Sequence, residues 1–383
     1  MQKRAVFSIL ANAGRARRGQ IHTTHGVIET PAYLPCATHG SLRGVTPAAL
    51  QSLELEVILS NAYHLYLRPG IETIEQLGGL HVFMGWDRAI LTDSGGFQAF
   101  ALPKFVKYRE EGITFRSHLD GAKHQFTPEL VVEIQERLGV DIATCLDVCT
   151  GFPVPERTVA RAVDQTNRWA ERSVAARTRN DMLLYGMVQG STYRAQRERS
   201  ARFLADLPFD GFAIGGNMYT FGATINALAA EKPKMWETVA YTTALLPDGK
   251  PRHLLGVGEP ADIIAGVATG IDTFDCVMAT RIARHGAAWV RTGVGEWGYE
   301  RVNLAGAAFR LQDQPLDEQC ACPACVPGVT RAYLHHLIRE NDPAAGALLS
   351  LHNVSFLRDL ASAIREAIAT NSFAEMFGAF LER

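Results

Sequence analysis

The stretch TPELVVEIQERLGVDIATCLDVCT, Thr127 to Thr150, sets the reading of the chain. Residues 127–139 have the spacing of a helix, and Asp141 to Thr150 form a short apolar run that carries a carboxylate, Asp147, toward its end. The pattern recurs. EVILSNAYH, AILTDSGGFQ, LLYGMVQGS, FDGFAIGGN, RHLLGVGEP and IDTFDCVMATR are apolar runs that close on polar or glycine-rich turns, with helix-like segments at 156–178, 192–207 and 259–270. Strands alternating with helices imply a parallel sheet. Seven or eight such units over roughly 250 residues suit a (β/α)8 TIM barrel better than an open sheet, and the fold class expected is α/β. In such a barrel the residues just past each strand converge on one mouth, here Asp93, Asp147, Gln189, Gly215, Gly216 and Asp275.

With 383 residues, 47% hydrophobic and 20% charged, the chain suits one large domain or a barrel with an appendage. A net charge of −2 and a pI near 6.6 exclude an overall basic coat, so any nucleic-acid contact must come from a local patch. The start, MQKRAVFSILANAGRARRG, has a short apolar run that leads straight into arginine-rich sequence and a hairpin-like GQIHTTHGVIETP. It reads as a first strand and not as an export signal. No run approaches the roughly 18 apolar residues of a spanning helix. A soluble, cytoplasmic protein is expected.

Seven cysteines are present, three of them packed into CACPAC as Cys320, Cys322 and Cys325. Such spacing points to a metal site in a reducing compartment and not to a disulfide framework. Zinc prefers four sulfur and nitrogen ligands, which leaves the fourth to His335, His336 or His352, and a filled shell makes the ion structural. Helical sequence follows with no further strand signal. The expected division is 1–314, a barrel with an N-terminal hairpin, and 315–383, a zinc-binding helical part packed on it.

An aspartate at a strand end is, taken singly, more often a cap or turn former. Two at one mouth, Asp93 and Asp275, make the acid/base and nucleophile pair of an exchange at a sugar C1 with retention. Asp147 and Gln189 offer the acceptors and the two-sided amide that a purine edge requires, and backbone N–H groups around Gly215 and Gly216 add a donor. Phe97 with Leu255 or Val257 would sandwich a planar ring. Arg281, Arg284 and His285, directly after Asp275, suit phosphates, although a solvated basic helix start has the same look.

Read in order, TPAYLPCATHGSLRGVTP, SNAYHLYLRPG, LTDSGGFQ, GITFRSHLDG, DIATCLDVCT, GMVQGS, FDGFAIGG, RHLLGVG, IDTFDCVMATR, the C-x-C-x-x-C cluster, TRAYLHHL and the late LHN closely resemble the bacterial queuine tRNA-ribosyltransferases, or tRNA-guanine transglycosylases. The resemblance covers nearly the whole chain. It implies a TIM barrel with a zinc subdomain and a pentosyltransferase that replaces guanine at the wobble position of G-U-N tRNAs by a 7-substituted 7-deazaguanine. By motif, Asp275 would attack ribose C1′ and Asp93 would serve as general acid/base. Asp147, Gln189 and Gly216 would read the base edge, and Phe97 and Leu255 would stack on its faces. Arg281 and Arg284 would contact the anticodon loop, and Cys320, Cys322, Cys325 and His352 would hold zinc. A homodimer acting on tRNA and a free base is implied as well.

The chain departs from the family in three places. Val148 stands where glutamate is common, GGNMYTFG where Gly-Gly-Leu-Ala-Val-Gly-Glu is common, and Ala279 where proline is usual. Two acidic positions near the 7-substituent are therefore missing, which puts the identity of the incoming base in question. A non-catalytic RNA-binding partner subunit and a retaining glycosidase on the same barrel are the alternatives. The three carboxylates argue against the first; the zinc cluster, Gln189 and only five tryptophans argue against the second.

Overall fold

The computed structural model describes residues 6–102, 105–215, 225–293 and 297–381, with the side chains of 225–230 excepted. Eight parallel strands form the expected barrel: β1 (Ala32–Pro35), β2 (Val57–Asn61), β3 (Ala89–Asp93), β4 (Ile142–Thr144), β5 (Leu183–Val188), β6 (Gly211–Ile214), β7 (Arg252–Leu254) and β8 (Thr273–Cys276). They pair in chain order from β2 to β8, and β8 pairs with β1. A parallel bridge between Cys36 and Leu59 joins β1 to β2, with the Ala37 N–H donating to the Leu59 carbonyl at 2.6 Å. The ring is thereby closed.

Each strand is short and apolar on both faces because both are covered, as parallel sheets require. Along β2 the side chains alternate: Val57 and Leu59 join Leu34, Leu91, Ile142, Leu183 and Tyr185 inside the barrel, while Ile58 joins Ile90 and Leu184 under the helices. The helix Pro128–Leu138 is capped by Thr127, whose side chain accepts from Leu130 N–H, and ends at Gly139 with a left-handed φ of 75°. Its buried Gln135 accepts from Thr92 Oγ1 and from the Thr144 N–H and donates to the Thr144 carbonyl. One amide thus ties β3 to β4, the strands that lead to Asp93 and Asp147.

The N-terminal hairpin is part of a three-stranded antiparallel sheet, Phe7–Ala13, Ala16–Thr23 and Gly26–Thr30, which plugs the N-terminal end of the barrel with Phe7, Ile21 and Ile28. Arg17 reaches from it to Asp272, just ahead of β8, through Nε to Oδ1 at 2.7 Å and Nη2 to Oδ2 at 2.5 Å. The guanidinium also donates to the carbonyls of Asp248 and Lys250. Asp141, just ahead of β4, takes the His25 N–H and ring, the Ile90 N–H and the His81 ring on its two oxygens. These carboxylates belong to the floor of the barrel.

Two smaller antiparallel sheets lie outside the ring, one of Val106–Arg109, Gly112–Arg116 and Lys123–Phe126, the other of Ala287–Arg291 and Tyr299–Asn303. The helix Pro343–Ala369 serves two cores. Leu349 packs with the cysteine cluster, and Val354, Phe356, Leu357, Leu360 and Ile364 join the main core around the barrel.

Replacing Arg17 by Met leaves Asp272 buried without its cation and should cost about 3–5 kcal/mol. The urea midpoint should fall at unchanged m, and adding Asp272→Asn should restore much of the loss. An unshifted midpoint in the single variant would contradict this account of the floor.

Candidate active site

The C-terminal ends of the strands place the functional side chains. Asp93 closes β3 in register with Asn61, the last residue of β2. Asn61 Nδ2 donates to Asp93 Oδ2 at 2.5 Å, the Ala62 N–H donates to Oδ1 at 3.2 Å, and Gln98 adds a side-chain hydrogen bond. Burial nevertheless dominates and pushes the Asp93 carboxyl up to about 7, with the negative charge of Asp275 adding to the shift. A carboxyl poised there is half protonated near neutrality, which is what a proton carrier needs.

Asp275 lies in β8 and is buried, 8% exposed. Its Oδ1 accepts from the Gly256 N–H at 3.0 Å and faces His253 Nε2 at 3.1 Å. Its Oδ2 meets the Cys36 thiol at 3.6 Å, across from the end of β1. The Gly256 N–H and the His253 ring thus meet the same carboxylate oxygen.

Asp147 follows β4 and Gln189 follows β5, and the two touch, Gln189 Nε2 donating to Asp147 Oδ2 at 2.5 Å. Ser94 Oγ and the Cys149 thiol also reach the carboxylate, while burial pushes its pKa up. Space for the pair comes from two glycines. A Cβ on Gly96 would lie 2.7 Å from Asp147 Oδ1, and one on Gly215 would lie 2.8 Å from Gln189 Nε2. The fully buried Arg197 donates to the carbonyls of Val188, Ser191 and Gly215 and so fixes the turns that follow β5 and β6.

The other expected residues divide. Leu255 is half-buried beyond β7, and Phe97 is 47% exposed at the start of the helix Gly96–Ala101. Val257 is buried in the main core and is no longer a candidate for stacking. The Gly215 N–H already donates to the Val188 carbonyl at 3.1 Å and is not an open donor. Gly216 lies outside the described residues. Arg281 and Arg284 are exposed on and after the helix Met278–Ala283, and Arg284 has its pKa lowered by burial and by the positive charges of Arg43 and Arg281. A small basic rim thus sits beside Asp275, with Arg43 a member that spacing did not flag.

Sequence reasoning also passed over Asn61, His253, Arg197 and Cys36. Asn61 is a strand-end residue that the rule applied to Asp93 would have found. His253 lies inside its strand and Arg197 lies in a helix, so that rule skips both.

The four side chains Cys320, Cys322, Cys325 and His352 are buried, and their ligand atoms all lie within 4.8 Å of one another. His352 Nδ1 is 3.7 Å from Cys322 Sγ and 3.4 Å from Cys325 Sγ. A tetrahedral zinc site has sulfur–nitrogen edges of roughly 3.6 Å at ordinary bond lengths, so the donor set fits. His352 Nε2 is anchored on the Trp289 carbonyl at 2.6 Å, which leaves Nδ1 for a metal. Of the other two histidines, His335 binds the Leu304 carbonyl and His336 is exposed.

Two outcomes follow from this geometry. The folded-state pKa of Asp93 exceeds its unfolded value, so the stability associated with that shift is present at low pH and is lost as pH rises through about 7. Asp93→Asn should therefore raise the melting temperature over wild type most above pH 7, with the gap closing as pH falls toward 4. A gap independent of pH would refute the assignment. Cys325→Ser should lose bound metal, measured by elemental analysis, and melt at lower temperature, with chelation of the wild type reproducing the loss.

A model of the family described as "Queuine tRNA-ribosyltransferase" matches residues 12–383. A queuine tRNA-ribosyltransferase of Thiobacillus denitrificans is 44% identical over 376 residues, covering 98% of this chain and 97% of its own. One of Dehalococcoides mccartyi is 43% identical over 383 residues, covering 100% and 93%, and one of Desulforudis audaxviator is 44% identical over 368 residues, covering 96% and 94%. With the barrel, the mouth carboxylates and the buried Cys3His cluster, these relationships show that the chain belongs to the queuine tRNA-ribosyltransferase family, a family of pentosyltransferases that modify tRNA.

Proposed function

We propose that this enzyme exchanges guanine at the wobble position of G-U-N tRNAs for a 7-substituted 7-deazaguanine by double displacement at ribose C1′. The observation that carries the reading is a pair of mouth carboxylates in unlike surroundings: Asp93 pushed up to about 7 by burial, Asp275 with the Gly256 N–H and the His253 ring on one oxygen. Asp275 attacks C1′, the C1′–N9 bond breaks with its electron pair on the base, and Asp93 gives a proton to the departing guanine. The RNA is then held as a ribosyl ester. The incoming base loses its N9 proton to Asp93, its nitrogen attacks C1′, and Asp275 leaves as carboxylate. Two inversions give net retention.

Asp147 and Gln189 would read the base edge, with Gly216 adding a contact, while Phe97 and Leu255 bound its faces. Arg281 and Arg284 would take phosphates or bases of the anticodon loop. Residues 1–314 would carry the chemistry and 315–383 a single structural zinc on Cys320, Cys322, Cys325 and His352. Bound zinc would cross-link the segment before Arg331 to the helix Pro343–Ala369. A cytoplasmic homodimer is part of this reading.

Val148 bears on the incoming base. Its side chain is buried in the main core, and its N–H donates to Thr166 Oγ1, so this position offers no carboxylate to a cationic substituent. The exchange chemistry is retained in this proposal while the choice of deazapurine shifts away from the 7-aminomethyl base. In competition with the 7-cyano base and queuine, that base should hold no large advantage; a wide margin in its favour would sink the idea.

The reaction itself is tested by incubating the protein with radiolabelled guanine and an unmodified G-U-N tRNA. Label should enter RNA with wild type and fall to background with Asp275→Asn. Wild type and Asp275→Asn incorporating label equally would eliminate a carboxylate nucleophile at this position.

A further inference from the structure

We propose that His253 is a positioning residue for Asp275, a neutral imidazole that holds Oδ1 through its Nε2–H and leaves Oδ2 as the attacking oxygen. The inference rests on the reading of Asp275 as nucleophile and adds the atom that attacks and the group that aims it. His253 is fully buried on β7, paired in register with Thr273 on β8, two residues ahead of Asp275. Its ring bridges the two: Nδ1 lies 2.9 Å from Thr273 Oγ1, and Nε2 lies 3.1 Å from Asp275 Oδ1.

The tautomer follows from donor bookkeeping. An ionised carboxylate only accepts, so the hydrogen facing Asp275 must sit on Nε2. In the neutral ring of this proposal Nδ1 is then an acceptor, and the Thr273 hydroxyl, which can turn either way, donates to it. The Gly256 N–H meets the same oxygen at 3.0 Å. Both N–H donors therefore converge on Oδ1, while among the described residues Oδ2 has only the weakly donating Cys36 thiol at 3.6 Å. A carboxylate held on one side has its plane fixed, and its less solvated oxygen is the better nucleophile. Without His253 the group is freer to rotate, and the attacking oxygen is no longer held in line with C1′.

The test compares His253→Phe, which keeps a planar ring without the donor, with His253→Gln, whose side-chain amide places an N–H at similar reach. Label exchange and the rate of covalent protein–RNA formation on denaturing gels are read together with tRNA affinity. The Phe variant should lose roughly 10- to 100-fold in kcat and in the rate of adduct formation, with KM and tRNA affinity nearly unchanged. The Gln variant should recover most of the loss. A Phe variant as fast as wild type, a Gln variant as slow as Phe, or a loss that tracks tRNA affinity would overturn the proposal.

Should the Phe variant fail to fold, the Gln variant is compared with Thr273→Val, which frees the tautomer and should slow adduct formation several-fold while Gln does not. Nitrogen NMR of the wild-type ring gives a readout apart from turnover. A lone hydrogen on Nε2 is expected; one on Nδ1, or on both nitrogens, refutes the neutral donor. A wild type that exchanges base but forms no adduct removes the nucleophile reading itself, an outcome distinct from a normal adduct in the Phe variant.

Discussion

Closure of the strand ring at Cys36 and Leu59 is the constraint on which the site depends. Asp93 and Asp275 lie in strands that do not pair, β3 and β8, and only a closed barrel brings their C-terminal ends to one mouth. An open sheet with the same strands would hold them several strand spacings apart, at about 4.8 Å each. The electrostatic influence of Asp275 on Asp93 is a consequence of that closure, whereas Cys36 meets Asp275 through the direct pairing of β8 with β1.

Burial then divides the labour among like side chains. Asp272 and Asp275 are three residues apart, yet one anchors the floor and the other lines the mouth, because a parallel strand carries its two ends to opposite faces of the barrel. Asp272 is matched by a guanidinium that forks onto both oxygens, an arrangement that satisfies a buried charge and leaves it nothing further to do. Asp275 has the Gly256 N–H and the His253 ring on one oxygen and little on the other, and burial pushes the Asp93 carboxyl up to about 7. The partially satisfied carboxylates are the ones with chemistry left.

Much of this was legible in the residues, for reasons that differ by element. Parallel strands buried on both faces appear as uninterrupted apolar runs, so seven of the eight stood out; β1 did not, because its short apolar run is preceded by Pro31 and ends on Pro35. Strand-end carboxylates were legible because barrel topology assigns them a place before any coordinate is known. The cysteine cluster was legible because its members are neighbours in sequence, whereas spacing left three histidines open and the choice of His352 came from the family resemblance, since it turns on how a helix 27 residues long is rotated. His253 and Arg197 were hidden for a related reason: each acts through backbone or side-chain atoms brought near only by pairing of β7 with β8 or of β5 with β6.

The adjacent residues His352 and Asn353 show how the Cys3His cluster is tied to the mouth. His352 faces the cysteines and holds the Trp289 carbonyl, while Asn353 accepts from the Trp289 N–H and donates to the carbonyls of Ala279 and Ala287. Ala279 lies in the short helix that follows Asp275 and carries Arg281. Any rotation of the long helix that displaced His352 from the cysteines would also pull on the helix bearing the basic rim. The Cys3His cluster is thus mechanically linked to the element that presents Arg281 on the chain just past Asp275.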